Sequence, residues 1–288
     1  MSSAFALPAI LALLCCAADP ARAQPSTPAQ QEPELPASGP RQPPAPLPGA
    51  APRPPPPAAA QEPAVPPPPP TAPPPPLAAG MARVEGKVTF AGLAPKLAAL
   101  PVSRDLKLCD STKPDESLLV GPDGGIRFAV LSIDGGPAPR RKPGEKPPRV
   151  RLDQRGCQFI PHLLVTTAGA ELDIVNSDNV LHNVHAYDGE TTAFNYAMPI
   201  RNYVIPRKLP KPGVLRISCD VHPWMRAVVD VLNTSAFAVT DAQGAYFIDV
   251  PPGKHTLRLW HERLGQRTLA VELAPGQTLR QDIELTPR

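Results

Sequence analysis

Aromatic residues are scarce, at 5% of a 288-residue chain, and no stretch sustains the 3.6-residue apolar repeat of an amphipathic helix. A helical bundle is therefore excluded. The formal net charge is only +3 and no basic stripe with interleaved aromatics occurs, so no nucleic-acid partner is indicated. The chain also lacks a Gly-x-Ser-x-Gly elbow, a second histidine cluster and a paired acidic motif in a recognisable setting. With no catalytic apparatus apparent, it is read as a non-enzyme. Cysteine is sparse too, with five residues in all, two of them, Cys15 and Cys16, in the apolar start.

That start runs from Ala4 to Ala18 and ends in Ala21-Arg22-Ala23, a small-x-small cleavage signal. Residues 1–23 are accordingly expected to be a secretory signal peptide rather than a membrane span, leaving a periplasmic or secreted chain with no transmembrane span. From Pro25 to Pro76 lie 24 of the 45 prolines, among Ala, Gln and Glu. Such a composition cannot bury enough surface to fold and favours extended polyproline II, so residues 24–80 are read as a disordered, semi-rigid Pro-rich linker.

Beyond it, short alternating runs are separated by Gly, Pro, Asn and Asp: 83–90, 118–120, 126–133, 163–167, 171–175, 183–187, 214–218 and 227–232. The fold class is all-β, of the sandwich or Greek-key kind. Between two of these runs, residues 134–151 carry Arg140, Arg141, Lys142, Lys146, Arg149 and Arg151 among prolines and glycines, and are read as a solvated loop.

The chemistry concentrates in Cys219-Asp220-Val221-His222-Pro223-Trp224-Met225, a short loop between two strand-like runs that offers a thiolate, an imidazole and a thioether at three-residue intervals. A fourth donor, His182, follows the turn residues Asn176-Ser177-Asp178-Asn179. Zinc sites gain almost nothing from a thioether, whereas two imidazoles and a thiolate with a weak axial Met suit copper. In a strand, alternate residues share a face, so His185 points away from His182.

At these residues the chain resembles the cupredoxins of the amicyanin/plastocyanin kind, and most closely the amicyanins, whose ligand loop has the same Cys-x-x-His-x-x-Met spacing, His222-Pro223 included, after an upstream Asp178-x-x-x-His182-Asn183. The resemblance implies a Greek-key sandwich over residues 81–235 holding one type 1 copper ion. His182, Cys219 and His222 would be its strong ligands, Met225 the axial one, and Asn183 a hydrogen-bond donor that steadies the thiolate. It further implies single-electron transfer with a redox protein such as a c-type cytochrome or a dehydrogenase. An envelope copper-binding or delivery protein and a non-redox structural binding module are the other readings. His162, ahead of the strand that leads toward His182, is a possible accessory ligand.

If Cys219 is the metal thiolate that the resemblance implies, Cys109 and Cys157 are left to pair in an oxidising compartment. Their disulfide would contribute roughly 4 kcal/mol by closing a long loop. A bridge using Cys219 would instead destroy the site, and the sequence leaves that pairing open. Residues 236–288 read as a β-meander whose Thr240-Asp241-x-x-Gly244-x-Tyr246-Phe247 and Val250-Pro251-Pro252-Gly253 elements resemble the carboxypeptidase regulatory-like, transthyretin-like sandwich. The run Val84-Glu85-Gly86-Lys87-Val88 has the form of that family's first strand, so the copper domain could be inserted after it.

Overall fold

The computed structural model of the chain describes residues 74–139 and 144–287. The expected signal peptide and most of the expected linker lie outside the described residues, as do Arg140, Arg141 and Lys142. The regular structure among the described residues is all strand apart from a single helical turn, Leu106–Cys109.

Two sheets enclose the first core. One has the order Thr191–Met198, His182–Asp188, Gly213–Ser218, Arg226–Leu232, Leu163–Thr167; the other has Val204–Leu209, Ala170–Asn176, Arg149–Gln154, Phe159–Ile160. Alternation decides what faces inward: Leu172 and Ile174 from the second sheet meet Val184, Ala186, Ile217 and Val229 from the first, together with Leu152 and Phe159. Two parallel pairings, Arg226–Leu232 with Leu163–Thr167 and Arg149–Gln154 with Ala170–Asn176, lie among antiparallel ones.

A second sandwich packs Ala245–Val250, Ala82–Phe90, Thr278–Arg280 and Ile283–Leu285 over Phe237–Val239, Val130–Asp134, Gly253–His261 and Gly265–Leu273. Its core holds Val84, Val88, Leu131, Ile133, Ile248, Leu257, Leu259 and Ile283. Strands Ala82–Phe90 and Val130–Asp134, from the N-terminal side of the expected 235/236 boundary, thus pair with strands from its C-terminal side. Gly86 permits a close approach: a Cβ there would stand 2.2 Å from the Gln281 carbonyl oxygen.

Three expectations change. The run 126–133 is a strand only from Val130, because Phe128 takes a left-handed φ of 68° that breaks the extended chain. The run 118–120 contributes one isolated bridge, Val120 to Ile126, rather than a strand. The basic loop ends earlier than expected, since Arg149–Gln154 is a strand whose Arg149 donates to Asp173 across the parallel pair at 2.6 Å.

Strand Arg226–Leu232 is buried on both faces, which is why it reads as a continuous β-branched run. Ala227, Val229 and Val231 enter the first core, while Val228 and Leu232 pack with Val130 and Leu163 in a small cluster between the two sandwiches. Asp230 is 1% exposed, and its Oδ2 has no hydrogen-bond partner. Burial pushes its carboxyl up to about 6, against a weaker opposing pull from Arg258. A folded-state value above the unfolded one means that stability is fully present below about pH 4 and is lost as pH rises through about 6. Asp230→Asn should therefore add about 1–3 kcal/mol of stability at pH 7.5 and nothing at pH 4, read by urea unfolding at both. Equal effects at the two pH values would show that the ionised carboxylate is not the cause.

Candidate metal centre

Loop Cys219–Met225 closes on itself through two backbone bonds. The Cys219 N–H donates to the Met225 carbonyl at 3.3 Å, and the Met225 N–H donates to the His222 carbonyl at 2.9 Å. Pro223 fixes its own φ and needs no donor partner at the turn. The residues at three-step spacing are all interior: Cys219 is 2% exposed, His222 0% and Met225 1%.

His182 opens the neighbouring strand, also at 0% exposure. Asn183 joins that strand to the loop. Its backbone N–H lies 3.5 Å from the Cys219 Sγ, its side-chain oxygen accepts the Asp220 N–H at 2.6 Å, and its side-chain nitrogen donates to Asp220 at 2.8 Å and to Asn195 at 2.9 Å. The expected role beside the thiolate is thus taken by the backbone, and the side chain splints the loop. His185, on the opposite face, bonds Asp220 and Thr192.

The donor atoms of His182, Cys219 and His222 all lie within 4.8 Å of one another. The two Nδ1 atoms are 2.9 Å apart, and the His222 Nδ1 is 3.8 Å from the Cys219 Sγ. Each ring's other nitrogen meets a carboxylate: His182 Nε2 to Asp178 at 3.0 Å and His222 Nε2 to Asp105 at 2.8 Å. Because an ionised carboxylate only accepts, each Nε2 carries the proton and the Nδ1 lone pairs turn toward the sulfur. Asn176 sets Asp178 in place by accepting its N–H at 2.9 Å while donating to the Val180 and Met198 carbonyls.

Electrostatics follow from this packing. Burial alone would raise the Cys219 thiol, but His182 and the N–H groups of Asn183, His222 and Val221 outweigh it and lower the value. Burial likewise opposes charge on His182, yet Asp178 and the thiolate prevail and raise it. At His222 burial wins and the value falls, despite Asp105, with the charge of His182 adding to the drop.

Cys109 and Cys157 form a disulfide across 48 residues, and Cys219 is free and buried. His162 is placed elsewhere. Its Nε2 pairs with Glu262 at 2.5 Å on the wall of a cavity of about 390 Å³, and it belongs to no donor cluster found among the described residues. Asp178 was not among the expected site residues, although its place four residues before His182 is a usable signal. Asp105 was not expected at all, since a partner 117 residues away leaves no local trace.

Fold and centre together define an all-β protein with a buried thiolate–imidazole donor set. No family model matches the sequence, and no curated protein matches it. Among solved structures the chain is similar to a copper-containing nitrite reductase from Thermus scotoductus SA-01, at 20% identity over 34% of this chain and TM-score 0.28. It spans about a quarter of that enzyme's length, 25%. It is also similar to amicyanin from Paracoccus versutus, at 21% identity over 31% of this chain and 87% of that one, TM-score 0.27. A purple cupredoxin from Nitrosopumilus maritimus matches at 20% over 30% and 99%, TM-score 0.26.

Asn183→Ala removes three side-chain hydrogen bonds and strands the Asp220 N–H, so metal-free protein should lose about 1–3 kcal/mol in urea unfolding. An unchanged midpoint would mean that solvent replaces the splint at no cost.

Proposed function

We propose that the chain is an exported type 1 copper protein that passes single electrons between redox partners. The observation that carries this reading is the convergence of two imidazole Nδ1 atoms and a free cysteine, all buried, with each imidazole fixed by a carboxylate on its far side. Such a donor set fits a borderline-soft ion, and the buried thioether of Met225 in the same loop favours copper over zinc. Copper bound there supplies a one-electron couple.

The chain's own residues do the rest. His182, Cys219 and His222 hold the ion, and Met225 serves as the weak fourth donor. The Asn183 N–H withdraws charge from the sulfur, and the surrounding strands keep the donors from rearranging between oxidation states. Full burial of the donors favours this role over copper delivery, which needs ligands that release their ion readily. The partner proposed is a redox protein such as a c-type cytochrome or a dehydrogenase. Export rests on the apolar start of residues 1–23, and among the described residues no helix is long and apolar enough to cross a membrane.

Adding Cu(II) to purified metal-free protein should give an intense thiolate-to-copper absorption that Cys219→Ser abolishes. A normal spectrum from Cys219→Ser would end the assignment. Met225→Leu should keep both copper and colour while shifting the midpoint potential in voltammetry. Should the midpoint stay put, Met225 packs the strand and leaves the donor list.

A further inference from the structure

Asp105 comes from a segment that belongs to neither sandwich. It stands just ahead of the helical turn Leu106–Cys109 in a left-handed conformation, φ 52°. Its carbonyl accepts the N–H groups of Leu108 and Cys109, both at 2.9 Å, so the carboxylate that meets His222 is fixed directly to the disulfide cysteine. The turn itself has little grip on the protein. Leu106 is 55% exposed and Leu108 40%, leaving Cys109 as its buried residue.

The other half of the disulfide reaches the other imidazole. The Cys157 N–H donates at 2.7 Å to Asp178 Oδ2, the same oxygen that meets His182 Nε2, and the Gly156 N–H donates to Asp178 Oδ1 at 2.7 Å. The Cys157 carbonyl accepts the Trp224 indole N–H at 3.0 Å, and the Trp224 ring packs 5.0 Å from the His222 ring. One covalent bridge therefore gathers both carboxylates that orient the imidazoles, together with the indole beside one of them. Asp105 lies on none of the strands of either sandwich.

We propose that the Cys109–Cys157 disulfide and Asp105 form a clasp that fixes the two histidines from outside the sandwich, with Asp105 a positioning residue that holds His222 in its Nε2–H form and seals its edge from solvent. The proposal rests on the copper reading only for what the freed Nδ1 atoms are used to bind. Orientation by a carboxylate can be read without any metal.

The test uses the full chain in metal-free form, following the histidine ring nitrogens by NMR at about pH 8, where free histidine is neutral. Wild type should show His222 as a single Nε2–H tautomer. Asp105→Ala should give a mixture at His222 and leave His182 unchanged, while Asp105→Asn, whose amide oxygen still accepts, should restore the single form. The double variant Cys109→Ala/Cys157→Ala should disturb both rings. With Cu(II) added, Asp105→Ala should lose metal to a chelator about ten- to a hundredfold faster than wild type, and Asp105→Asn should largely recover the slow rate. An unaltered His222 tautomer in Asp105→Ala would overturn the clasp, and so would a double variant that folds with both rings unchanged. If the double variant does not fold, the two Asp105 variants decide alone. A tautomer that depends on Asp105 in a protein that never takes up copper would uphold the clasp and sink the copper reading, so the two failures are told apart.

Discussion

Everything at the centre of this protein depends on burying a sulfur and two imidazoles in an otherwise apolar core without leaving their polar atoms unpaired. An unpaired buried polar group costs about 1–3 kcal/mol, comparable to a large share of a domain's net stability. Each group here is met by a dedicated partner: the Cys219 sulfur by the Asn183 N–H, His182 by Asp178, His222 by Asp105. Those partners need partners of their own, which explains Asn176 beneath Asp178 and the Asn183–Asp220 splint. The network runs from the loop Cys219–Met225 to the segment that carries Asp105, a neighbouring strand and a disulfide. Its reach is what fixes the surrounding fold.

Strand Arg226–Leu232 transmits that rigidity. Leaving the loop Cys219–Met225, it pairs with Gly213–Ser218 on one side and Leu163–Thr167 on the other, with apolar side chains on both faces. One face seals the core that contains the centre, and the other seals the cluster facing the second sandwich. A loop rooted in a strand of this kind cannot shift without opening two packed layers. That geometry suits a site whose donors must stay put, and Asp230 is the one titratable residue placed in its interior.

The loop that brings Cys219 and His222 beside His182 was legible because its signal is local: three polarisable side chains at fixed spacing, turn chemistry before His182, and alternation that set His185 apart. Strands with one clear apolar face, such as Leu163–Thr167, were legible for the same reason. Edge strands were not. Thr191–Met198 is mostly exposed and Val204–Leu209 contains Pro206, which an edge strand tolerates because its outer N–H has no ladder partner. Arg149–Gln154 was hidden by charge, since its arginines lie on the outer face and only Leu152, Asp153 and Gln154 are buried. The pairing of Ala82–Phe90 with Ile283–Leu285 spans nearly the whole folded chain, and no periodicity encodes which strand another will meet.

Charge gives the centre its direction. Asp178 is held below the usual carboxylate range by His182 and by the Cys157 and Gly156 N–H groups, which outweigh burial, and Cys219 is tilted toward its thiolate. With Asp105 these place three acidic groups around two imidazoles. His182 responds with a raised proton affinity although its burial opposes charge, so a positive charge among these donors is electrostatically favoured. The two Nδ1 atoms, 2.9 Å apart, form a hydrogen bond in which the protonated ring donates and the other ring's lone pair accepts. The outer carboxylates do more than orient the rings: Asp178 and Asp105 each pull the proton affinity of their imidazole upward against burial, and Asp105 does so from outside the strands of the sandwich.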